Sequence, residues 1–241
     1  MKRLVAVLVL ILVLVALFMS VDSASVTGKE LEGKRDLMVV APEGYKGEEL
    51  SVPSGIFKEL GAEVVVASTR TGIARGMSGG EVAVNLSVGD VNISNYDAIV
   101  IVGGVGSMKY LWDDSDLRDM VRAAYDNHKT VAAICLSPVV LARAGILRDK
   151  ECTAFVTAKE ELIKNGGRYR DVGVVVSGNI VTAKGPEYAR EFAMAVSDVM
   201  LNRSSSRPYE MPSPEPEGFV TSLVAVAIAV VSVLFALRLR R

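Results

Sequence analysis

Near-continuous Val/Ile runs, amphipathic stretches between them, and glycine or proline at most changeovers mark this chain as α/β, a doubly wound parallel sheet with helices on both faces. Asp36–Ala41 reads as a buried strand, Glu48–Leu60 as a helix ended by Gly61, and Glu63–Ser68 as a second strand. A Gly-rich stretch from Thr71 to Asp90 follows, with Glu81–Leu86 as a short hairpin arm. Asp97–Val102 is a strand that runs into Gly103-Gly104. Leu117, Met120, Val121 and Ala124 give Asp113–Asn127 a helical stripe, and Thr130–Ile134 is the strand that delivers Cys135. A helix from Pro138 stops at Gly145, Glu151–Val156 is a further strand, and Ala158–Asn165 is a short helix before Gly166-Gly167. Val172–Val176 and Asn179–Ala183 pair across Ser177-Gly178, and the last helix runs from Pro186 to about Leu201.

The folded part, 34–201, is roughly 170 residues and comfortable for one domain. Its alternation is that of a flavodoxin-like sandwich, in which ligands bind beyond the carboxyl ends of the strands. That rule gathers Glu43 after the first strand, Gly103 and Gly104 after the third, and Cys135 at the end of the fourth. In Val-Ala-Ala-Ile-Cys-Leu-Ser-Pro (131–138) the apolar run ends abruptly on the thiol, with small residues, Ala133 and Ser137, two positions to either side. Such a sequence suits a sharp strand-to-helix elbow that exposes a nucleophile; a buried structural cysteine is the other reading.

Both ends of the chain are apolar. Lys2 and Arg3, the run Leu4–Met19 and a small-residue close describe a signal over 1–25, either cleaved or kept as an anchor. Residues 202–218 are rich in Ser, Pro and Glu and read as a stalk. Phe219–Leu237 is uncharged and, as a helix, about 28 Å long, enough to span a membrane, with Arg238, Arg240 and Arg241 in 238–241 predicted on the cytoplasmic side. The domain between is then expected outside the cell membrane, held by a single span. Pro-Glu-Pro-Glu-Gly-Phe (214–219) ahead of that span resembles the tripartite tails handled by archaeosortases; a plain membrane anchor is the alternative.

The whole chain carries 27 basic and 28 acidic residues. Two of the bases lie at the start of the signal and three in the tail, which leaves 22 against 28 acids over residues 21–218, a modestly acidic stretch with no electrostatic footprint for nucleic acid. No metal-ligand spacing, P-loop or dinucleotide fingerprint is present, so no metal or cofactor is expected. Asn85, Asn92 and Asn202 open glycosylation sequons that would matter only outside the cell.

Ala41-Pro-Glu43, Val102-Gly-Gly104, Ala133-Ile-Cys135 with Pro138, Asn165-Gly-Gly167, Thr182-Ala-Lys-Gly185-Pro186 and Glu191-Phe-Ala193 together resemble the ThiJ/PfpI superfamily, of class I glutamine amidotransferase-like fold. The resemblance implies Cys135 as nucleophile, Glu43 as the acid that hydrogen-bonds it, and the amides of Gly103, Gly104 and Leu136 as oxyanion donors. It also implies a homodimer. Within that family are cysteine peptidases, glyoxalase and deglycase-like enzymes, chaperones and redox-responsive proteins, so membership alone does not fix an activity.

Departures from the pattern narrow the choice. Peptidase-type members place His directly after the nucleophile, where this chain has Leu136, and many deglycase-type members keep a His where it has Phe155. His128, the one histidine, precedes the strand leading to Cys135 and should lie about 20 Å from the thiol. No Cys-His dyad can therefore form, and ordinary thiol proteolysis is not expected. Cys152 is expected near the amino end of the sheet, too far from Cys135 for a disulfide. Two functions stay open: a cysteine-dependent hydrolase or lyase on small carbonyl compounds or adducts, or a non-catalytic redox or ligand sensor using an oxidisable Cys135.

Overall fold

The computed structural model describes residues 29–203. The signal at 1–25, the stalk from residue 204 on, the span 219–237 and the end 238–241 lie outside the described residues. Among the described residues no helix is long and apolar enough to cross a membrane.

The elements are β1 (Arg35–Val39), β2 (Glu43–Tyr45), α1 (Gly47–Glu59), β3 (Glu63–Ser68), β4 (Gly72–Gly76), β5 (Glu81–Val84), β6 (Leu86–Ser87), β7 (Ala98–Ile101), α2 (Ser115–Asp126), β8 (Thr130–Ile134), α3 (Pro138–Arg143), β9 (Glu151–Cys152), α4 (Lys159–Lys164), β10 (Arg168–Tyr169), β11 (Val174–Ser177), β12 (Ile180–Ala183) and α5 (Ala189–Met200). Seven strands form the main sheet in the order β11-β12-β8-β7-β1-β3-β6. Every neighbouring pair in it is parallel except β11 with β12, the hairpin across Ser177-Gly178.

Every residue of β7, β8 and β12 is buried, which requires cover on both faces of the sheet. α1 and α5 pack on one another, and α2 packs on α3. The stripe expected of α2 is the one it buries, Leu117, Met120, Val121 and Ala124, and the Asp114 side chain caps its start by accepting from the Leu117 amide at 2.8 Å. In α1 the buried positions Glu49, Pro53, Ile56 and Phe57 follow helical spacing, so an acid shares the stripe with apolar side chains. Pro53 has no amide to give the Glu49 carbonyl one turn earlier.

Three local expectations are corrected. Glu43–Tyr45 is a strand: β2 pairs with β4, and β4 with β5, in a separate three-stranded sheet, while Leu86–Ser87 joins the edge of the main sheet beside β3. Only Glu151–Cys152 of the expected 151–156 strand forms, and it pairs with β10 outside the main sheet. The ladder stops there because the next amides are taken elsewhere: Thr153 donates to the Thr182 hydroxyl at 3.0 Å and Phe155 to the Cys135 carbonyl at 2.9 Å. Cys152 is thus buried beside the carboxyl half of the sheet rather than at its amino end. Finally, Pro186–Tyr188 makes a single tight turn before α5 begins at Ala189.

Candidate active site

β8 ends at Ile134 and the chain turns at Cys135, whose φ of 63° lies in the left-handed region that costs a side-chain-bearing residue strain. Two segments hold it there. The Cys135 amide donates to the Ala183 carbonyl at 2.9 Å, and the Cys135 carbonyl accepts from the Phe155 amide at 2.9 Å. Trp112 Nε1 donates to the Leu136 carbonyl at 2.9 Å, fixing the next peptide. The elbow read from the sequence is therefore present, and its sulfur lies at the carboxyl rim of the sheet with the residue 9 % exposed.

The Gly103-Gly104 loop comes from the end of β7. Gly103 is packed so closely that a Cβ there would come within 2.5 Å of Glu49 Oε2 and 2.6 Å of the Cys135 Cβ. Gly104 has φ of 104°, and a Cβ on it would sit 2.5 Å from the Gly44 carbonyl oxygen. Gly103 donates its amide to Glu49 Oε2 at 2.9 Å and accepts from the Lys46 amide at 3.0 Å. That amide is spent on a carboxyl and is not an oxyanion donor, which corrects the expectation for Gly103. The amides of Gly104 and Leu136 do face the Cys135 sulfur, and both favour its ionised form.

The acid beside the sulfur is Glu49, not Glu43. Glu43 lies in β2 with its carboxyl turned to the surface, 3.2 Å from Arg70 Nη2 and 3.4 Å from the Tyr110 hydroxyl. β2 pairs with β4 instead of continuing the main sheet, and this carries the Glu43 side chain outward. Glu49, in the first turn of α1, is fully buried against the Cys135 thiol. The sequence held a signal for it: Glu49 lies four, seven and eight residues before Pro53, Ile56 and Phe57, on the apolar stripe of its helix.

Burial pushes the Glu49 carboxyl up to about 7, against the opposing effects of the Cys135 contact, the Gly103 amide and the Lys46 charge. Burial, and after it the Glu49 charge, pushes the Cys135 thiol up to about 12. Glu49 Oε1 is buried with no other hydrogen-bond partner, and the contact between the two groups lowers the acid while it raises the thiol. Acid and thiol therefore titrate as one unit, and the nucleophilic form is the one with the proton on Glu49.

His128 is exposed in the turn before β8, at the opposite end of that strand from Cys135. Phe155, at the position where many family members keep a His, meets Cys135 through its backbone amide. Among the described residues no group of His, Cys, Asp and Glu is arranged to hold a metal ion.

A sequence model of the DJ-1/PfpI family matches residues 34–198. An uncharacterized protein of Methanocaldococcus jannaschii is 46% identical over 198 residues, covering 81% of this chain and 96% of its own. The protein named deglycase PfpI of Pyrococcus furiosus is 30% identical over 160 residues, covering 65% of this chain and 96% of that one. Among solved structures, a ThiJ/PfpI domain protein from Brachyspira murdochii superposes with a TM-score of 0.68 at 35% identity, over 71% of this chain and 98% of that one.

Proposed function

Since this chain belongs to the DJ-1/PfpI family, we propose that it is a cysteine-dependent enzyme for small carbonyl compounds or their adducts, with Cys135 as nucleophile and Glu49 handling the proton. The observation that carries this reading is the buried Glu49 carboxyl against a thiol at a strained elbow, with two amides facing the sulfur. The relative from Pyrococcus furiosus named a deglycase supports the substrate class.

In the first step the Cys135 proton rests on Glu49 and the thiolate attacks the carbonyl carbon. A C–S bond forms, the π pair moves to oxygen, and the alkoxide is held by the Gly104 and Leu136 N–H groups. Glu49 then gives its proton to that oxygen, leaving a neutral hemithioacetal. One acid without a histidine suffices for this step, whereas expelling an amine from a peptide would need a second proton donor. The test is consumption of methylglyoxal by the full chain beside Cys135→Ala and Glu49→Leu. Loss of turnover in both variants is expected, and equal rates in all three would overturn the reading.

The same reading sets the domain outside the cell membrane, tethered through 219–237; the uncharged run and its terminal arginines support this. Protease added to intact cells should remove the domain. Protection until lysis would refute that placement.

A redox role is the second reading. The amides that face the sulfur would equally hold oxygens added to it. Mild peroxide should then add oxygen to Cys135, though only 9 % exposed, before it reaches Met77 at 49 % or Met108 at 47 %. Methionine oxidation first would exclude it.

A further inference from the structure

Two hydroxyls buried beneath the site have no part in the chemistry described so far. Ser107 follows the Gly103-Gly104 loop in a five-residue turn, Ser107–Leu111, and Ser137 is two residues past the nucleophile. Both are fully buried. Their oxygens are 2.7 Å apart, and Ser137 Oγ donates to the Val102 carbonyl at 2.8 Å, with Ser107 Oγ at 3.4 Å from that same oxygen. A consistent arrangement uses both protons: Ser107 donates to Ser137, and Ser137 donates to Val102.

The placement of these bonds matters more than their strength. Val102 is the residue before Gly103, and Ser137 is the residue after Leu136. Their hydrogen bond therefore joins, from below, the two loops whose amides face the sulfur. Ser107 adds a second tie, since its own amide donates to the Gly104 carbonyl at 3.0 Å. Buried hydroxyls that are fully bonded contribute little net stability, but they fix geometry closely.

We propose that Ser107 and Ser137 are positioning residues, whose bridge sets the Gly104 N–H relative to the Leu136 N–H and so the donor pair offered to the sulfur and to the oxygen formed beside it. This rests on the carbonyl-enzyme reading for its catalytic consequence, and on geometry alone for its effect on the thiol. Ser137→Ala is the sharp probe. It frees the elbow, while Ser107 can turn to the Val102 carbonyl and keep that buried acceptor satisfied.

The experiment measures iodoacetamide alkylation of Cys135 against pH, methylglyoxal kcat and KM, and thermal unfolding, all on the full chain. Ser137→Ala should slow alkylation near neutral pH and lower kcat, each roughly tenfold, with KM within about twofold. Ser137→Thr, which keeps a hydroxyl, should recover most of both. Ser107→Ala keeps the backbone bond to Gly104 and removes only the hydroxyl contacts with Ser137 and Val102, and should cost about two- to threefold. Only the double Ala variant strips Val102 of both donors, so it alone should unfold at distinctly lower temperature. A folded Ser137→Ala with alkylation and kcat both unchanged overturns the proposal. Should that variant not fold, an unchanged Ser107→Ala overturns it instead. If even the unaltered chain consumes no carbonyl compound, the enzyme reading fails while the alkylation profile still decides the bridge.

Discussion

Replacing Glu49 by Gln should merge two titration steps of Cys135 into one. In the unaltered site the carboxyl and thiol share their protons, with the first leaving at about 7 and the second held to about 12. Alkylation should accordingly rise near neutral pH to a plateau set by how often the remaining proton sits on Glu49, then rise again in strong base. Gln keeps an acceptor for the Gly103 amide and a donor for the sulfur, but never carries charge. Two unit charges about 4 Å apart interact by roughly 4 kcal/mol at an effective dielectric near 20, close to 3 pKa units. That figure is an upper bound, because burial is the larger cause of the rise and stays in place; without the Glu49 charge the thiol falls below about 12, remains above its ordinary value and titrates in one sigmoid. Iodoacetamide rates across pH 5 to about 11, followed by mass at Cys135, measure this directly. A Glu49→Gln profile that keeps the step near 7, or whose upper midpoint moves by less than about one unit, would refute the coupling.

Asp36 gives a separate pH signature. It is fully buried at the start of β1, neither carboxyl oxygen has a hydrogen-bond partner, and burial with the nearby Asp97 charge pushes it up to about 7. The folded chain then binds more protons than the unfolded one between about 4 and 7, so stability falls as pH rises through that window, by up to about 4 kcal/mol; denaturant midpoints of Asp36→Asn should be flatter there. Gly103→Ala should destabilise by about 1–3 kcal/mol in urea unfolding and slow alkylation, because the added Cβ meets Glu49 Oε2, the Cys135 Cβ and the Ile134 carbonyl within 2.6 Å. Glu43→Ala should leave methylglyoxal kcat/KM within about twofold and stability within about 1 kcal/mol, since it breaks only exposed contacts, the ion pair with Arg70 and the bond from the Tyr110 hydroxyl.

The thiol and its loop were legible in the sequence because both lie where strands end. A buried β-branched run can be followed to its last residue, and the crevice rule then says what faces it; Cys135 and Gly104 came from that reasoning, while Leu136 came from the family resemblance. The same rule misplaced the acid. It favoured Glu43 as the first charged residue past β1, but a short side sheet takes that residue away from the crevice. Glu49 is supplied by a helix turning back over the rim, and only the apolar company it keeps along α1 marks it. Cys152 was misplaced for a related reason: Thr153 and Phe155 give their amides to Thr182 and Cys135, long-range bonds that have no trace in local pattern. The Ser107–Ser137 contact was invisible likewise, since small residues near an elbow read only as room to turn.

The bonds that hold the Cys135 backbone come from chain that is made after it. Its amide needs Ala183 and its carbonyl needs Phe155, so a polypeptide that stops before β12 lacks one of the two grips on the elbow. Without that later chain the strained left-handed turn at Cys135 loses the two bonds that hold its peptide groups. The altered reactivity of the site is thus acquired only when those bonds form, and a thiol-selective label applied during refolding would time that event.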